Sequence, residues 1–260
     1  MEEVLQVKHL RAGYGRKTIL RNISFSVAPR EIRLILGESG SGKSTLLNNI
    51  LKLEPIKSGS ISYFGQEIPL REPIPDSIRR RTGVLFQGGA LLTSLTVAQN
   101  VELPLRRSYP TLSQRTLDEI AADRLEKVHL LNAFYKFPSE LSGGMRKRAA
   151  LARAIAFEPE LLFCDEPSAG LDPVTSRSLD ELLLELRDTL GVSVVVVSHE
   201  LESIRTICDR FIYLERGLVL MDASLDEGLH SEIPEIRDFF DRNYRKSDEC
   251  RELIHFDFED

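Results

Sequence analysis

The chain has 260 residues, of which 42% are hydrophobic and 28% charged, and its formal net charge is −6. That length and balance fit one large globular domain or two small ones. We expect no transmembrane segment, because no apolar run approaches the roughly 20 residues that span a bilayer. We expect no secretory signal either, because the start, Met1-Glu2-Glu3, is neither basic nor apolar.

The first third of the sequence is rich in predicted strands. Apolar runs or strict alternation predict strands over residues 4–7, 19–27, 32–36, 60–64 and 84–86. In the second of these, Ile23, Phe25 and Val27 share one face. A helix is predicted from Lys43 to about Lys52, directly after a glycine-rich loop.

From about residue 91 to residue 157 the pattern becomes helical. Thr96 and Gln99 match a capping box, in which the two side chains satisfy free N–H groups at a helix start. Amphipathic periodicity over 115–128 and 145–157 predicts two further helices. This part of the chain is therefore expected to form a helical block.

Strand patterns return after the helical block. Residues 161–164 and 192–197 are continuous apolar runs, which are typical of parallel strands covered on both faces. A helix is predicted between them over 176–190, and a hairpin over 211–221 that turns near Arg216-Gly217. The sequence thus predicts an α/β body that is interrupted by a helical insertion and then resumes.

The run from Gly37 to Ser44 matches the phosphate-binding pattern G-x-x-x-x-G-K-S/T. Glycines let the backbone curl so that successive N–H groups point at phosphate oxygens, and the next helix adds its positive end. Lys43 is expected to reach the β- and γ-phosphates, and Ser44 to bind Mg²⁺. A chance glycine-rich turn is the alternative, but the run follows a predicted strand and opens a predicted helix. The predicted cradle for ATP consists of Gly37, Ser39, Gly40, Ser41, Gly42, Lys43, Ser44 and Thr45.

Two carboxylates end the apolar strand at 161–164. Asp165 offers the hard oxygen ligand that Mg²⁺ requires, and Glu166 is placed to act as the general base that polarises an attacking water. An ordinary acidic strand end is the alternative when the pair is taken alone. Together with the phosphate loop, the pair favours nucleotide hydrolysis.

A short glycine-containing run, Leu141-Ser142-Gly143-Gly144-Met145, precedes a helix rich in Arg and Ala. It resembles the signature motif of ABC ATPases, which usually ends in Gln. The start of a helix favours anions. The resemblance implies that Ser142, Gly143 and Gly144 bind the γ-phosphate held by a second subunit. It therefore implies a head-to-tail homodimer with two ATP molecules, and Mg²⁺, between the subunits.

Four further positions resemble motifs of the same family, in the family's order. Tyr14 resembles the aromatic platform for adenine, and Gln87 the glutamine that touches Mg²⁺ and links ATP to the helical block. Asp172 resembles the end of the loop that crosses the dimer interface, and His199 the switch histidine at the γ-phosphate. The resemblance implies catalytic roles for Glu166, His199 and Gln87. It also implies a metal site made of Ser44, Gln87 and Asp165.

The resemblance covers about residues 4–225 and implies the fold of an ABC-type P-loop NTPase. That α/β fold has a mixed core sheet, an antiparallel β subdomain and an inserted helical subdomain, here over about 88–158. We therefore divide the chain into an ABC ATPase domain, 1–225, and an acidic tail, 226–260. The tail holds 12 acidic and 5 basic residues, so the remainder carries about +1. No broad basic surface is required, and nucleic acid is not an expected partner.

Two classes of ABC protein fit these motifs. Soluble, non-transport ABC ATPases of DNA repair or translation usually carry coiled coils, zinc modules or two ATPase halves, and this sequence shows one half without those insertions. The resemblance therefore favours the motor of a transporter, bound to integral membrane permease subunits at the cytoplasmic side of the bacterial inner membrane. The segment 88–95 is the expected permease contact, because Gln87 connects it to the nucleotide.

Among transporter motors, the chain resembles the ATPase of Mla-type lipid transporters most. This resemblance implies phospholipid transport across the bacterial envelope, with a periplasmic Mce-type lipid-binding protein and a small cytoplasmic accessory protein as further partners. Met145 departs from the usual Gln and cannot make its hydrogen bond to nucleotide. The alternative is the ATPase of an importer or exporter for another small solute. The runs that carry the resemblance are 86–91, 100–105 and 139–145.

The acidic tail contains two apolar patterns. Ile236, Phe239, Phe240 and Tyr244 recur at near-helical spacing, and three apolar residues over 254–258 alternate as in a strand. Packing of these side chains on their own domain is one interpretation. Docking on the other subunit or on an accessory protein, as an added edge strand, is the other.

Overall fold

The computed structural model describes residues 2–15 and 17–241. Its strands are, in chain order, β1 (Leu5–Ala12), β2 (Leu20–Val27), β3 (Ile32–Leu36), β4 (Ile56–Tyr63), β5 (Gln66–Ile68), β6 (Thr82–Leu85), β7 (Leu161–Asp165), β8 (Ser193–Val197), β9 (Arg210–Glu215) and β10 (Leu218–Ser224). The helices are α1 (Lys43–Ile50), α2 (Asp76–Arg80), α3 (Val97–Ser108), α4 (Gln114–Lys127), α5 (Gly143–Ala154), α6 (Pro173–Leu190), α7 (Leu201–Ile207) and α8 (Leu225–Leu229). Residues 234–241 are also helical.

The larger of two sheets has six strands in the order β10-β9-β3-β8-β7-β6. All neighbours are parallel except β9 and β10, which form an antiparallel hairpin. Arg216 and Gly217 turn that hairpin, and both have positive φ angles of 45° and 77°, as a type I′ turn requires. The sheet is buried on both faces: Val194 and Val196 face one apolar cluster, and Val195 and Val197 face the other.

The smaller sheet is antiparallel, with the order β2-β1-β4-β5. Together with α1 it covers one face of the six-stranded sheet, where Leu5, Leu20 and Ile61 are fully buried. The strand β1 runs well past the predicted end at residue 7. His9 has a φ of 50° and sits at a register shift, so a bulge breaks the alternation that the sequence pattern relies on.

The helical block lies between β6 and β7 and contains α3, α4 and α5. The predicted capping box is present: Thr96 Oγ1 accepts from the Gln99 N–H at 3.2 Å, and Gln99 Oε1 accepts from the Thr96 N–H at 3.0 Å. Asn100 is fully buried, and its side chain bonds both the N–H and the C=O of Leu92. These bonds hold the segment before α3 against the block.

The predicted fold class is confirmed by these elements: a mixed core sheet, an antiparallel β subdomain and an inserted helical block. None of the helices in the described part of the chain has the length and apolar character needed to cross a membrane. The two apolar clusters lie on opposite faces of the six-stranded sheet, so both subdomains pack against this sheet.

The first part of the predicted acidic tail packs on the body. Ile236 is fully buried and Phe240 is 3% exposed, and both belong to the cluster shared with the helical block. The Phe240 ring lies 6.0 Å from Phe211, and the Phe239 ring 5.4 Å from Tyr213, both in edge-on geometry. The packed body therefore continues to at least residue 240. Tyr244 and the strand pattern over 254–258 lie outside the described residues.

We expect Phe240→Ala to lower the free energy of unfolding by about 3–5 kcal/mol, because it opens a cavity between the 234–241 helix and β9. Leu229→Ala is the matched control, since Leu229 is 40% exposed and should change stability far less. Urea unfolding of both variants measures the difference. Equal small losses would show that the helix does not contribute to the core.

Candidate functional site

The predicted site residues follow parallel strands that end at one edge of the six-stranded sheet. In register, Ile35 of β3 pairs with Val197 of β8, Val197 pairs with Asp165 of β7, and Cys164 pairs with Leu85 of β6. The loops that leave these four strands therefore start side by side. They carry the phosphate-binding pattern, His199, Glu166 and Gln87, which the sequence separates by up to 160 residues.

The phosphate-binding loop owes its curl to Gly37 and Gly42. Gly37 has a φ of 143°, and a Cβ there would lie 2.3 Å from the Leu214 carbonyl oxygen of β9. Gly42 has a φ of 112° at the start of α1, and a Cβ there would lie 2.8 Å from Leu20. Ser39 and Gly40 are exposed at the tip of the loop, and Ser44 and Thr45 form the first turn of α1.

Two polar groups of this loop fit a bound phosphate. Lys43 Nζ donates to the carbonyl oxygens of Gly37 and Glu38, at 2.7 and 3.1 Å, so its ammonium is folded over the loop. Burial lowers the pKa of Lys43, while the carboxylates of Glu166 and Asp165 act in the opposite direction. The Ser41 hydroxyl is buried and makes no hydrogen bond to any residue within 2–15 or 17–241. A cation and an unpaired hydroxyl in a backbone cradle are suited to phosphate oxygens.

The predicted metal ligands fit Mg²⁺. Asp165 is half-buried at the end of β7, and its pKa is raised by burial and by the neighbouring Glu166 carboxylate, against Lys147 and Lys43. Two adjacent carboxylates in a partly buried site favour a bound cation. The exposed Ser44 and Gln87 could complete an oxygen ligand set with Asp165. The assignment of these three ligands stays a prediction.

The predicted general base contacts the predicted switch histidine. Glu166 Oε1 and His199 Nδ1 are 2.9 Å apart, and the Glu166 side chain is 15% exposed while that of His199 is 64% exposed. Glu166 has a φ of 46°, a conformation that non-glycine residues rarely adopt, and its N–H donates to the Val197 carbonyl. The carboxylate is thus held at the sheet edge and oriented by the imidazole.

The signature residues lie on a neighbouring surface. Ser142 caps α5, its Oγ accepting from the Met145 N–H at 3.3 Å, and the residue is exposed. A Cβ on Gly144 would lie 2.4 Å from Thr175 of α6, so the two helix starts approach closely. Asp172 caps α6 by accepting from the N–H and hydroxyl of Thr175, and these bonds lower the pKa of Asp172. Gly143, partly exposed, follows Ser142 in the same turn.

Tyr14 lies just beyond the end of β1, with half of its surface exposed. Its carbonyl accepts from the Lys17 N–H in a tight turn. An exposed aromatic ring beside a strand end can stack on a base. Its role as the adenine platform stays a prediction, as do the roles of the other site residues.

Two groups that the motifs do not mark are also joined to the site. Lys147 of α5 donates to the carbonyls of Gln87 and Glu166. Asp180 of α6 is buried and accepts from the Ser203 hydroxyl of α7 at 2.6 Å, and burial raises the pKa of Asp180 to about 6. Both residues lie on amphipathic helices, where charged side chains are usually solvated, so their burial could not be read from periodicity.

A match to the family described as ABC transporter covers residues 20–169, more than half of the chain. The chain belongs to this family. Its described part has the fold of an ABC ATPase, and we use that name below.

One similar protein is the methionine import ATP-binding protein of Brucella abortus. It is 39% identical to this ABC ATPase over 217 residues, which are 83% of this chain and 58% of that protein. The chain thus spans less than two-thirds of the length of this relative.

Two solved structures are similar over most of the ABC ATPase. The dimeric post-hydrolysis state of the ATP-binding cassette MJ0796, bound to ADP and Pi, has a TM-score of 0.74 and 33% identity, over 85% of this chain and 98% of that one. CbiO1 from Clostridium perfringens, part of the ABC transporter complex cbiONQ, has a TM-score of 0.79 and 25% identity, over 96% of this chain and 100% of that one.

Proposed function

We propose that this ABC ATPase is the motor subunit of a membrane importer for a small solute, and that it hydrolyses ATP as a head-to-tail homodimer. The observation that carries the proposal is the 2.9 Å contact between Glu166 and His199 at the edge where the phosphate-binding loop also begins. A positioned carboxylate next to a phosphate cradle is the arrangement that water-dependent phosphoryl transfer needs.

The residues divide the chemical work as follows. When bound, ATP supplies the phosphoanhydride bond that is broken, and Mg²⁺ neutralises part of the negative charge of the phosphates. Lys43 and the loop N–H groups would bind the phosphates, and Asp165 and Ser44 would hold the metal. Glu166 takes the proton of the attacking water, and His199 keeps the carboxylate oriented. Gln87 connects the site to the helical block, because it lies two residues after β6 and directly before the segment 88–95.

A second subunit completes each site in this proposal. Ser142 and Asp172 begin two helices that touch each other, and both residues are exposed. Exposed helix starts are ready anion sites, so a partner's γ-phosphate can bind there. In a two-fold dimer this contact is isologous, because each subunit's phosphate-binding loop faces the other subunit's Ser142 and both sites close together. The dimeric form of the similar cassette MJ0796 supports this arrangement.

The segment 88–95 is the proposed permease contact. Leu92 is 45% exposed and the preceding Phe86 is 37% exposed, which gives the segment an apolar surface. Asn100 and Arg153 hold its backbone to the helical block. Movement of the block on ATP binding would therefore move this surface. CbiO1, a similar protein, is part of a transporter complex, which supports a membrane partner here.

The proposed cargo rests on similarity to other transporter motors and not on the site itself. The similarity to a methionine import ATPase favours the import alternative over the phospholipid transport implied by the Mla-type runs. Met145 and the runs 86–91 and 139–145 keep lipid transport as the second candidate. A lipid transporter would also need the Mce-type and accessory partners, which the similarity to an importer does not support.

We expect Glu166→Gln to lower kcat by about 10² to 10⁴, because the variant keeps the shape of the site but loses the general base. The KM for ATP should change little, since the phosphate cradle is intact. Glu202→Gln, which neutralises an exposed carboxylate of α7, is the control. Turnover of Glu166→Gln close to that of the wild type would exclude Glu166 as the base.

The head-to-tail arrangement can be tested by mixing two inactive variants. In a heterodimer of Lys43→Ala and Ser142→Arg subunits, one site carries both changes and the other carries neither. Random mixing should therefore restore ATPase activity to at most about a quarter of the wild-type value. If each site were formed within one chain, mixing would restore nothing.

The cargo class can be tested with the membrane subunits that copurify with the chain. In liposomes, we expect a small solute such as methionine, supplied with its binding protein, to stimulate ATPase activity and to accumulate inside. Glu166→Gln should abolish both effects. Stimulation only by phospholipid transfer to a lipid-binding protein would favour the second candidate.

A further inference from the structure

Lys147 is a cation buried in the second turn of α5, the helix that begins at Ser142. Only 7% of the residue is exposed. A buried ammonium is costly unless strong acceptors replace its water. The position of Lys147 therefore depends on what its Nζ touches.

The acceptors are two backbone carbonyls on different loops. Lys147 Nζ donates to the Gln87 oxygen at 2.6 Å and to the Glu166 oxygen at 3.2 Å. These loops leave the neighbouring parallel strands β6 and β7. One side chain thus joins the signature helix to the two loops that carry the predicted glutamine and the predicted general base.

Acidic groups near Lys147 offset part of the cost of burying its ammonium. Burial lowers the pKa of Lys147, while Cys164 and the carboxylates of Asp165, Glu166 and Glu200 oppose that effect. Hydrogen bonds from a charged donor to carbonyl oxygens are stronger than neutral ones. The ammonium is therefore suited to hold both loops against thermal motion.

The backbone at both ends of the bridge needs such a restraint. Glu166 has a φ of 46°, and Ala90, three residues after Gln87, has a φ of 49°. Arg153, also on α5, donates to the carbonyls of Gly89 and Ala90 at 2.7 and 2.6 Å. Strained backbone persists only where surrounding contacts determine it. Lys147 reaches both loops.

We propose that Lys147 is a positioning residue that fixes the backbone of Gln87 and Glu166 to the signature helix, so that both side chains meet the same reacting water and metal. The inference rests on the proposed roles of Gln87 and Glu166. It assigns to α5 a direct mechanical link: displacement of this helix by the second subunit's nucleotide moves the base and the glutamine together.

The test compares three variants of α5. Lys147→Met keeps the apolar stem but loses the ammonium, and kcat should fall about 10-fold to 100-fold, as for a small misplacement of reacting groups. The KM for ATP should change far less, because the phosphate cradle is untouched. Lys147→Arg, which can donate to two carbonyls, should recover part of kcat.

Arg148→Met is the matched control. Arg148 is the next residue of α5 and is also partly buried, and burial lowers its pKa. Its guanidinium donates to Val128 and Ser178, away from the two loops that Lys147 contacts. We expect it to lower stability while kcat per folded molecule stays at the wild-type value. An equal fall of kcat in Arg148→Met and Lys147→Met would overturn the inference.

Hydrogen exchange gives a readout independent of turnover. In Lys147→Met the amides over 87–90 and 166–169 should both exchange faster, whereas Arg153→Met should affect only 87–90. If Lys147→Met does not fold, Lys147→Gln, which is shorter by one atom and uncharged, replaces it with the same expected changes. Wild-type exchange and wild-type kcat in the folded variant would overturn the inference.

The outcomes separate this inference from the proposed function. If Glu166→Gln retains turnover, the proposed general base is wrong whatever the Lys147 variants do. If Glu166→Gln loses turnover and Lys147→Met keeps both kcat and slow exchange, only the positioning role of Lys147 fails.

Discussion

The shared direction of β3, β8, β7 and β6 is the constraint on which the rest of the molecule depends. Because parallel strands end at the same edge, four loops from distant parts of the sequence start side by side. The strands are buried on both faces, so their polar ends can be solvated only at the two edges. The phosphate cradle, the carboxylates and the histidine accordingly occupy the edge where the strands end. No rearrangement of the helices could bring them together without this sheet.

In the proposed dimer, the helix α5 links that edge to the second subunit. Its first residue follows the exposed Ser142, and its second turn reaches the two loops through Lys147. Farther along, Arg153 bonds the segment proposed to contact a permease. The helix thus carries the Ser142 surface at its start, and charge-assisted hydrogen bonds attach it to the two site loops and to the segment 88–95. A shift of α5 would therefore displace the Ser142 surface, the two site loops and the segment 88–95 together.

Much of this organisation could be predicted from sequence, because its signals are local. The apolar runs of β3, β7 and β8 and the capping box at Thr96 depend on neighbouring residues alone, and the motifs place the site residues in chain order. The short elements β5, α2 and α7 gave no clear period. The bulge at His9 breaks the alternation of β1, so the sequence pattern predicted a strand that is too short. The burial of Lys147 and Asp180 arises from tertiary packing, and helical periodicity treats such residues as solvated.

The position of β3 in the sheet also has a consequence for biosynthesis. Ile32 pairs with Val194, and Arg33 pairs with Arg210, so both neighbours of β3 are made more than 160 residues later. At about 5–20 residues per second, the strand that leads into the phosphate loop waits roughly 10 to 30 s on the ribosome for its partners. During that interval its five apolar-rich residues and open edges are exposed to other nascent chains. The antiparallel sheet of β1, β2 and β4 is complete earlier, and can shelter this strand until β8 emerges.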